Sequence, residues 1–278
     1  MRVAIVCVNY GSNSLSIKYL ESLKKAFSRV GGRVELQVLL VDNTSPNAEQ
    51  EKFLKVVSTF QFADAISTED NLGYFGAVQF GLRKLGVGQG REIDWLIVSN
   101  VDVEVAPDFF EILLLKDTSV GVIAPAIISR RTGRDRNPKM NSPLNIRKAR
   151  FQKIIFSTYW IQNFYLQFAL LKSFLFRPLQ SSCVAKNIYA PHGSFIIFSR
   201  LFLEKGGHFN FPCFLFGEEL FIGQQARELV LSVTYEPDLR VDDFDHASTG
   251  QWRNRRICKY AGESAKYSYR SIRDQQGS

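Results

Sequence analysis

Three apolar, β-branched runs that each stop in polar residues constrain the fold more than any other feature: VAIVCVNY at 3–10, VELQVLLVDN at 34–43 and DWLIVSN at 94–100. Between the first two, LSIKYLESLKKAF sets Leu15, Tyr19, Leu20 and Leu23 at helical spacing, which makes a β-α-β unit. A second helical stretch, AEQEKFLKVVSTF, follows Pro46; then come the short strand ADAIST and the Gly-rich NLGYFGAVQFGLRKLG. This alternation predicts an α/β fold with a Rossmann-like, mostly parallel central sheet flanked by helices. In such sheets ligands sit beyond the carboxyl ends of the strands. Those ends carry Asn9 and Tyr10, Asp42 and Asn43, and Asn100 and Asp102.

From about 130 to 185 the chain changes character. Basic residues dominate first (Arg130 to Lys153, with almost no acids), and then the aromatic run IIFSTYWIQNFYLQFALLKSFLF, interrupted by Gln162, Asn163, Gln167 and Lys172. The interruptions argue against a transmembrane span. A basic collar beside an amphipathic aromatic stretch, 147–177, fits a helix lying in a membrane interface, and fits a helical lid or subunit contact equally. After 186 the patterned sequence resumes, with GEELFIGQQAREL as a helix, SVTYEP as a strand and a basic tail that is helical from about 255. A formal charge of +8 predicts an anionic partner, whether nucleic acid, nucleotide or acidic membrane surface. Cys7, Cys183, Cys213 and Cys258 are scattered and form no C-x-x-C pair, so neither a zinc cluster nor a redox motif is indicated. The start, MRVAIVCVNYGS, lacks the layout of a signal peptide, and a cytoplasmic protein is expected.

Several residues could carry chemistry. Asn100, Asp102 and Glu104 alternate, which puts three oxygen-bearing side chains on one face of an extended segment. The spacing is compatible with Mg²⁺ or Mn²⁺, and also with a solvated turn or a helix cap. Asp42 could accept the imide N–H of uracil or thymine, or could simply close a turn. Gly73, Gly76 and Gly81 at the start of a helix allow close approach of a phosphate or ribose, although the spacing is neither G-x-G-x-x-G nor a P-loop. Glu218 and Glu219 follow the apolar FPCFLF. Desolvation and mutual repulsion are expected to raise at least one pKa there, giving a general base; a charge pair favoured by the helix dipole is the alternative. His246 could complete a metal site or be structural, and His192 lines a pocket at most.

In this order, VCVNYGS, VDN, NLGYFGA, SNVDVEV, GSFIIFSR, FLFGEEL and DHAST resemble the family 2 glycosyltransferases with the GT-A fold, in the rhamnosyltransferase-like branch of bacterial surface polysaccharide assembly. The resemblance runs through nearly the whole chain except 130–185. It implies a nucleotide-sugar-binding half at 1–128, a basic and aromatic helical insertion at 129–185, and at 186–278 an acceptor-binding half with the catalytic base and a helical tail. Asn9, Tyr10, Asp42 and Asn71, with Gly73, Gly76 and Asn100 beside them, would hold a UDP- or dTDP-sugar, dTDP-rhamnose among the candidates. Asp102 would carry a divalent metal, Mn²⁺ or Mg²⁺, against the diphosphate, with His246 as an additional ligand and Glu104 as a third candidate. Glu219, with Glu218 next to it, matches the family's base, and one displacement would invert the sugar. Asn100 stands where a strict D-x-D has Asp, Val78-Gln79 where relatives often carry Asn-Asn, and Glu219 where relatives often have Asp.

The implied acceptor is lipid-linked or an oligosaccharide, at the inner face of the cytoplasmic membrane, with no nucleic acid as partner. A processive synthase is disfavoured because GQWRNRR only superficially matches Q-x-x-R-W and no transmembrane helices are expected that could form a channel. A metal-dependent nucleotidyltransferase would show a basic, Gly-rich loop after the first strand, yet NYGSNSLS has no Lys or Arg before Lys18. A non-enzymatic nucleic-acid binder would need no Glu219 and would bind in a steeply salt-dependent way.

Overall fold

The computed structural model describes residues 1–43, 50–87, 92–165, 184–245 and 255–276. Strands β1 (Arg2–Asn9), β2 (Glu35–Asp42), β3 (Ala63–Ser67) and β4 (Trp95–Asn100) form a parallel block in the order β3-β2-β1-β4. Side chains alternate along these strands, so each run feeds two cores. Val3, Ile5 and Cys7 of β1, with Val38, Leu40, Trp95 and Ile97, pack under helix α1 (Asn13–Ser28) through Tyr19, Leu20 and Leu23. Ala4 and Val6, with Leu39, Val41, Leu96 and Val98, pack on the other side against Phe75, Val78 and Leu85 of α3 (Tyr74–Leu85). Burial on both faces is why the runs lack polar alternation. Helix α2 (Gln50–Val57) adds Phe53 and Val57 to the first core.

Past β4 the sheet becomes mixed. β8 (Phe195–Ser199) lies antiparallel to β4 and to β6 (Val122–Ser129), while β9 (Val233–Asp243) runs parallel to β6. The short β5 (Val103–Val105) and β7 (Lys186–Ile188) pair antiparallel with β9, completing a nine-stranded sheet. The parallel pairing expected from the sequence therefore holds for the first four strands. Helices α4 (Phe109–Leu113), α7 (Arg200–Glu204) and α8 (Glu218–Glu228) flank this half.

The basic segment forms α5 (Ile146–Ile155) and a helical stretch α6 at 159–165. α5 packs against the long C-terminal α9 (Arg255–Gln276), burying Ala149 and placing Lys153 Nζ 4.5 Å from the Tyr269 ring centroid. No described helix is long and apolar enough to cross a membrane.

Candidate active site

The carboxyl ends of β1, β2 and β4 lie in register, Asn9 opposite Asp42 and Val8 opposite Asn100, as expected for strands presenting polar termini to one place. Above them opens a cleft of about 650 Å³. Tyr10, Asn71, Gly73, Asn100, Asp102, Glu218 and Glu219 all line it. Asn9 and Asp42 sit beneath this lining, buried and joined through Asn9 Nδ2, which donates to Asp42 Oδ1 at 3.1 Å. Gly76 lies in the first turn of α3, where an added Cβ would come 3.0 Å from Leu72 Cβ, and is also outside the lining.

Glu104 corrects the expectation of three side chains on one face. β4 ends at Asn100, the chain bends at Val101 and Asp102, and β5 then starts afresh as an edge strand on β9. The alternation is therefore interrupted between Asp102 and Glu104. Glu104 accepts a hydrogen bond from Arg130 and lines a separate cavity with Lys18, Lys25 and Arg240. His246 lies outside the described residues.

Asn43, expected at the β2 strand end, takes a structural part there, and Arg136, Lys139, Arg256 and Tyr260 join the cleft without having been singled out in the sequence. Asn43 is the hub of the Gly-rich turn: its Nδ2 donates to Asn71 Oδ1 and to the Gly73 carbonyl, at 2.9 and 3.1 Å, and its Oδ1 accepts from Leu72 N at 2.8 Å. Arg136 and Lys139 reach the cleft from the segment that looked like a membrane collar, and Arg256 and Tyr260 reach it from α9. Phe214 and Tyr260 stack with centroids 4.4 Å apart, an aromatic wall on that side.

Two successive left-handed residues, Phe216 (φ 70°) and Gly217 (φ 93°), turn the chain into α8 and bring both glutamates to the cleft. Such a conformation is costly for phenylalanine and clusters at functional sites in proteins generally. At Gly217 a Cβ would lie 2.5 Å from Ser264 Oγ, so α9 fits closely over this turn.

The two acids are electrostatically different. Burial, and then the charge of Glu219, push Glu218 up to about 8. Burial acts on Glu219 in the same sense, but it is outweighed by Lys139, whose Nζ lies 3.4 Å from Glu219 Oε1, and by His192, so Glu219 is held below the usual carboxylate range. Near neutral pH the pair thus carries one proton, on Glu218.

The folded state keeps a proton on Glu218 that the unfolded chain releases, so its contribution to stability is progressively lost as pH rises from about 4.5 to about 8. Glu219 acts oppositely, losing stabilisation as pH falls below the carboxylate range. Glu218→Gln is expected to gain more than about 1 kcal/mol relative to the parent between about pH 5 and pH 8, measured by urea unfolding. An equal effect at both pH values would place the proton elsewhere.

The residues fit a divalent cation completed by a ligand. Asp102 is buried and lines the cleft; Asp243 on the neighbouring strand also lines it, but its Oδ1 already accepts from Asp245 N at 2.7 Å and pairs with Arg136 at 3.4 Å, while Phe244 N donates to the Asp102 carbonyl at 2.9 Å. Among the described residues no group of three His, Cys, Asp or Glu forms a cage. One or two carboxylates plus substrate phosphate oxygens is a common mode of holding such ions.

Comparison with known proteins agrees with this architecture. Residues 3–206 match the family model described as glycosyl transferase family 2. No curated protein matches the sequence. Among solved structures, GalNAc-T7 with UDP, GalNAc and Mn²⁺ is similar over 90% of this chain and 44% of its own, at TM-score 0.57 and 15% identity. TarS 1-349 of S. aureus in complex with UDP-GlcNAc is similar over 90% of this chain and 62% of its own, at TM-score 0.56 and 13% identity. The chain therefore spans less than two thirds of these proteins' lengths, and the likeness is one of fold.

Proposed function

Since the chain belongs to glycosyl transferase family 2, we propose that the cleft binds a nucleoside-diphosphate sugar and transfers the sugar, with inversion, to a hydroxyl of a glycan acceptor. The observation that carries this reading is the pairing, in one cleft at the strand ends, of a glutamate held ionised, Glu219, with a buried aspartate, Asp102. The donor is a UDP- or dTDP-sugar, with dTDP-rhamnose a candidate for the rhamnosyltransferase-like branch. That TarS is solved with UDP-GlcNAc and GalNAc-T7 with UDP and Mn²⁺ supports a nucleotide-sugar donor.

In the step itself the acceptor oxygen bonds to the anomeric carbon, the bond from that carbon to the diphosphate oxygen breaks, and Glu219 takes the hydroxyl proton. Asn43 and Gly73 hold the Asn71 turn against the nucleotide side, with Tyr10 and Asn100 beside it. Asn9 and Asp42 support that side from below. Arg256 brings positive charge to the cleft for the diphosphate, while the Arg136 guanidinium is paired with Asp243 and Asp245. A divalent Mn²⁺ or Mg²⁺, when bound, supplies neutralisation of the leaving diphosphate. Asp102 would hold it, with His246 as the further ligand.

The test is a thermal-shift titration with UDP, dTDP, GDP and CDP, each with Mn²⁺ or chelator. Stabilisation by one nucleoside diphosphate, metal-dependent and absent in Asp102→Ala, is expected, worth about 2.7 kcal/mol at a hundredfold excess over Kd. A folded protein that responds to none of them defeats the reading.

For the acceptor, α5 and α6 support a lipid-linked glycan at the inner face of the cytoplasmic membrane, in surface polysaccharide synthesis. No Asp or Glu occurs between Asp135 and Glu204. Arg147, Lys148, Arg150 and Lys153 are exposed on α5. Trp160 and Phe164 of α6 are 75% and 78% exposed, and Phe151 meets Tyr165 edge-on at 6.3 Å, joining the aromatics of the two helices in one patch. A basic rim around apolar surface complements anionic headgroups. Trp160→Ser combined with Phe164→Ser is expected to weaken co-sedimentation with phosphatidylglycerol vesicles by about tenfold or more, since each buried aromatic contributes about 1.5–3 kcal/mol. Unchanged co-sedimentation would remove the membrane from the proposal.

A further inference from the structure

We propose that Lys139 is the positioning residue of the glutamate pair, keeping the negative charge on Glu219 and the shared proton on Glu218; this deepens the transferase reading and rests on it. Two neighbouring carboxyl groups in a desolvated site do not both ionise, and the nearest cation decides which one does. Lys139 Nζ lies 3.4 Å from Glu219 Oε1. Glu218 Oε1 is buried and has no hydrogen-bond partner among the described residues, and at this carboxyl burial outweighs the backbone hydrogen bonds of Glu218 and Phe216 and the weaker pull of Lys139. Of the other titratable groups facing the pair, the Cys213 thiol is pushed up to about 11 by burial and then by Glu218, so it brings no charge to Glu218. His192 acts on Glu219, while the Tyr74 phenol, itself pushed well above its ordinary value by burial and then by Glu218, donates to the Gly193 carbonyl at 2.9 Å and offers no charge.

Lys139 is well anchored for this role. Two residues before it, the buried Asn137 donates from Nδ2 to the Pro125 carbonyl and accepts from His192 N, both at 2.8 Å. One residue after it, Met140 exchanges backbone hydrogen bonds with the 189–190 segment, Met140 N to Ala190 O at 3.2 Å and Tyr189 N to Met140 O at 2.9 Å. These clamps tie the backbone around the ammonium to the loop carrying His192 and Gly193, which lines the cleft opposite Glu219. The basic segment is thereby part of the proton-transfer machinery. Glu219 is free of its proton before the acceptor arrives, and it receives the acceptor's proton without first losing one.

The experiment follows the charge directly. The full chain is labelled with ¹³C at the glutamate carboxyl carbons, the two resonances are assigned with Glu218→Gln and Glu219→Gln, and both are titrated over roughly pH 3 to 10. In the parent, Glu219 is expected to titrate below the carboxylate range and Glu218 far above it. Lys139→Met is expected to raise the Glu219 midpoint by about one unit or more, and Lys139→Arg to restore it. The acidic limb of kcat/KM moves with that midpoint. Lys139 is 44% exposed, so folding survives its truncation, and Lys139→Gln serves as a second probe. A Glu219 midpoint that stays in place in Lys139→Met and Lys139→Gln overturns the proposal, whatever the protein's activity. A midpoint that moves in a protein showing no sugar transfer upholds the charge assignment and overturns the transferase reading.

Discussion

Glu219→Gln is expected to slow sugar transfer by about 10²- to 10⁴-fold, the usual contribution of a positioned general base, while leaving nucleoside diphosphate binding in place. The amide has nearly the shape of the carboxylate and accepts no proton at neutral pH. Its neighbour is a poor substitute, because burial, the larger of the two causes that raise Glu218, persists when the charge at 219 is removed. The loss should therefore fall on kcat, with the donor Kd little changed. Initial rates beside calorimetric titration of the diphosphate separate the two. A variant retaining a rate within about threefold of the parent would take Glu219 out of the chemical step.

Gly73→Ala should be the most damaging added methyl among the described glycines. Gly73 has φ 72° and ψ −176°, a region open almost only to glycine and costing other residues about 1–3 kcal/mol. A Cβ there would also collide with the carbonyl oxygen of Phe214, which accepts from Tyr74 N at 3.2 Å at the start of α3. Strain and collision together predict a loss of about 3 kcal/mol or more in urea unfolding. Because Gly73 also accepts from Asn43 and borders Phe214 of the aromatic wall, nucleotide affinity should fall with stability. Gly86→Ala is the control. It too has positive φ, 67°, but its Cβ would meet nothing within 4 Å. Equal losses at the two positions would show that the Phe214 contact contributes nothing.

Part of this arrangement was legible in the residues themselves. The parallel block could be seen because β1, β2 and β4 bury both faces and so are written almost wholly in Val, Ile and Leu. The cleft residues at the strand ends followed from that. β9 was only half visible: SVTYEP marks its start, but its continuation through Arg240 and Asp242 has polar side chains, and its pairing with β6 shifts register between Pro125 and Ala126. Glu104 was misplaced because an alternating pattern carries no sign of the bend at Val101 and Asp102. Lys139, Asp243 and Arg256 had no local signal at all. They enter the cleft through pairings and clamps between segments far apart in the chain, and in Lys139's case a run of basic residues concealed the one that faces inward.

The placement of β9 has a consequence for how the chain acquires its shape during synthesis. β5 finds its ladder partner, and β6 one of its two, only in a strand that begins at Val233. At a ribosomal pace of about 5–20 residues per second, β5 waits on the order of ten seconds for that strand to emerge. The β3-β2-β1-β4 block can close in the meantime from near-neighbour segments, whereas the second half has high contact order and closes late. For that interval β5 and one edge of β6 are unpaired, and the nascent chain depends on protection from aggregation until β9 is translated.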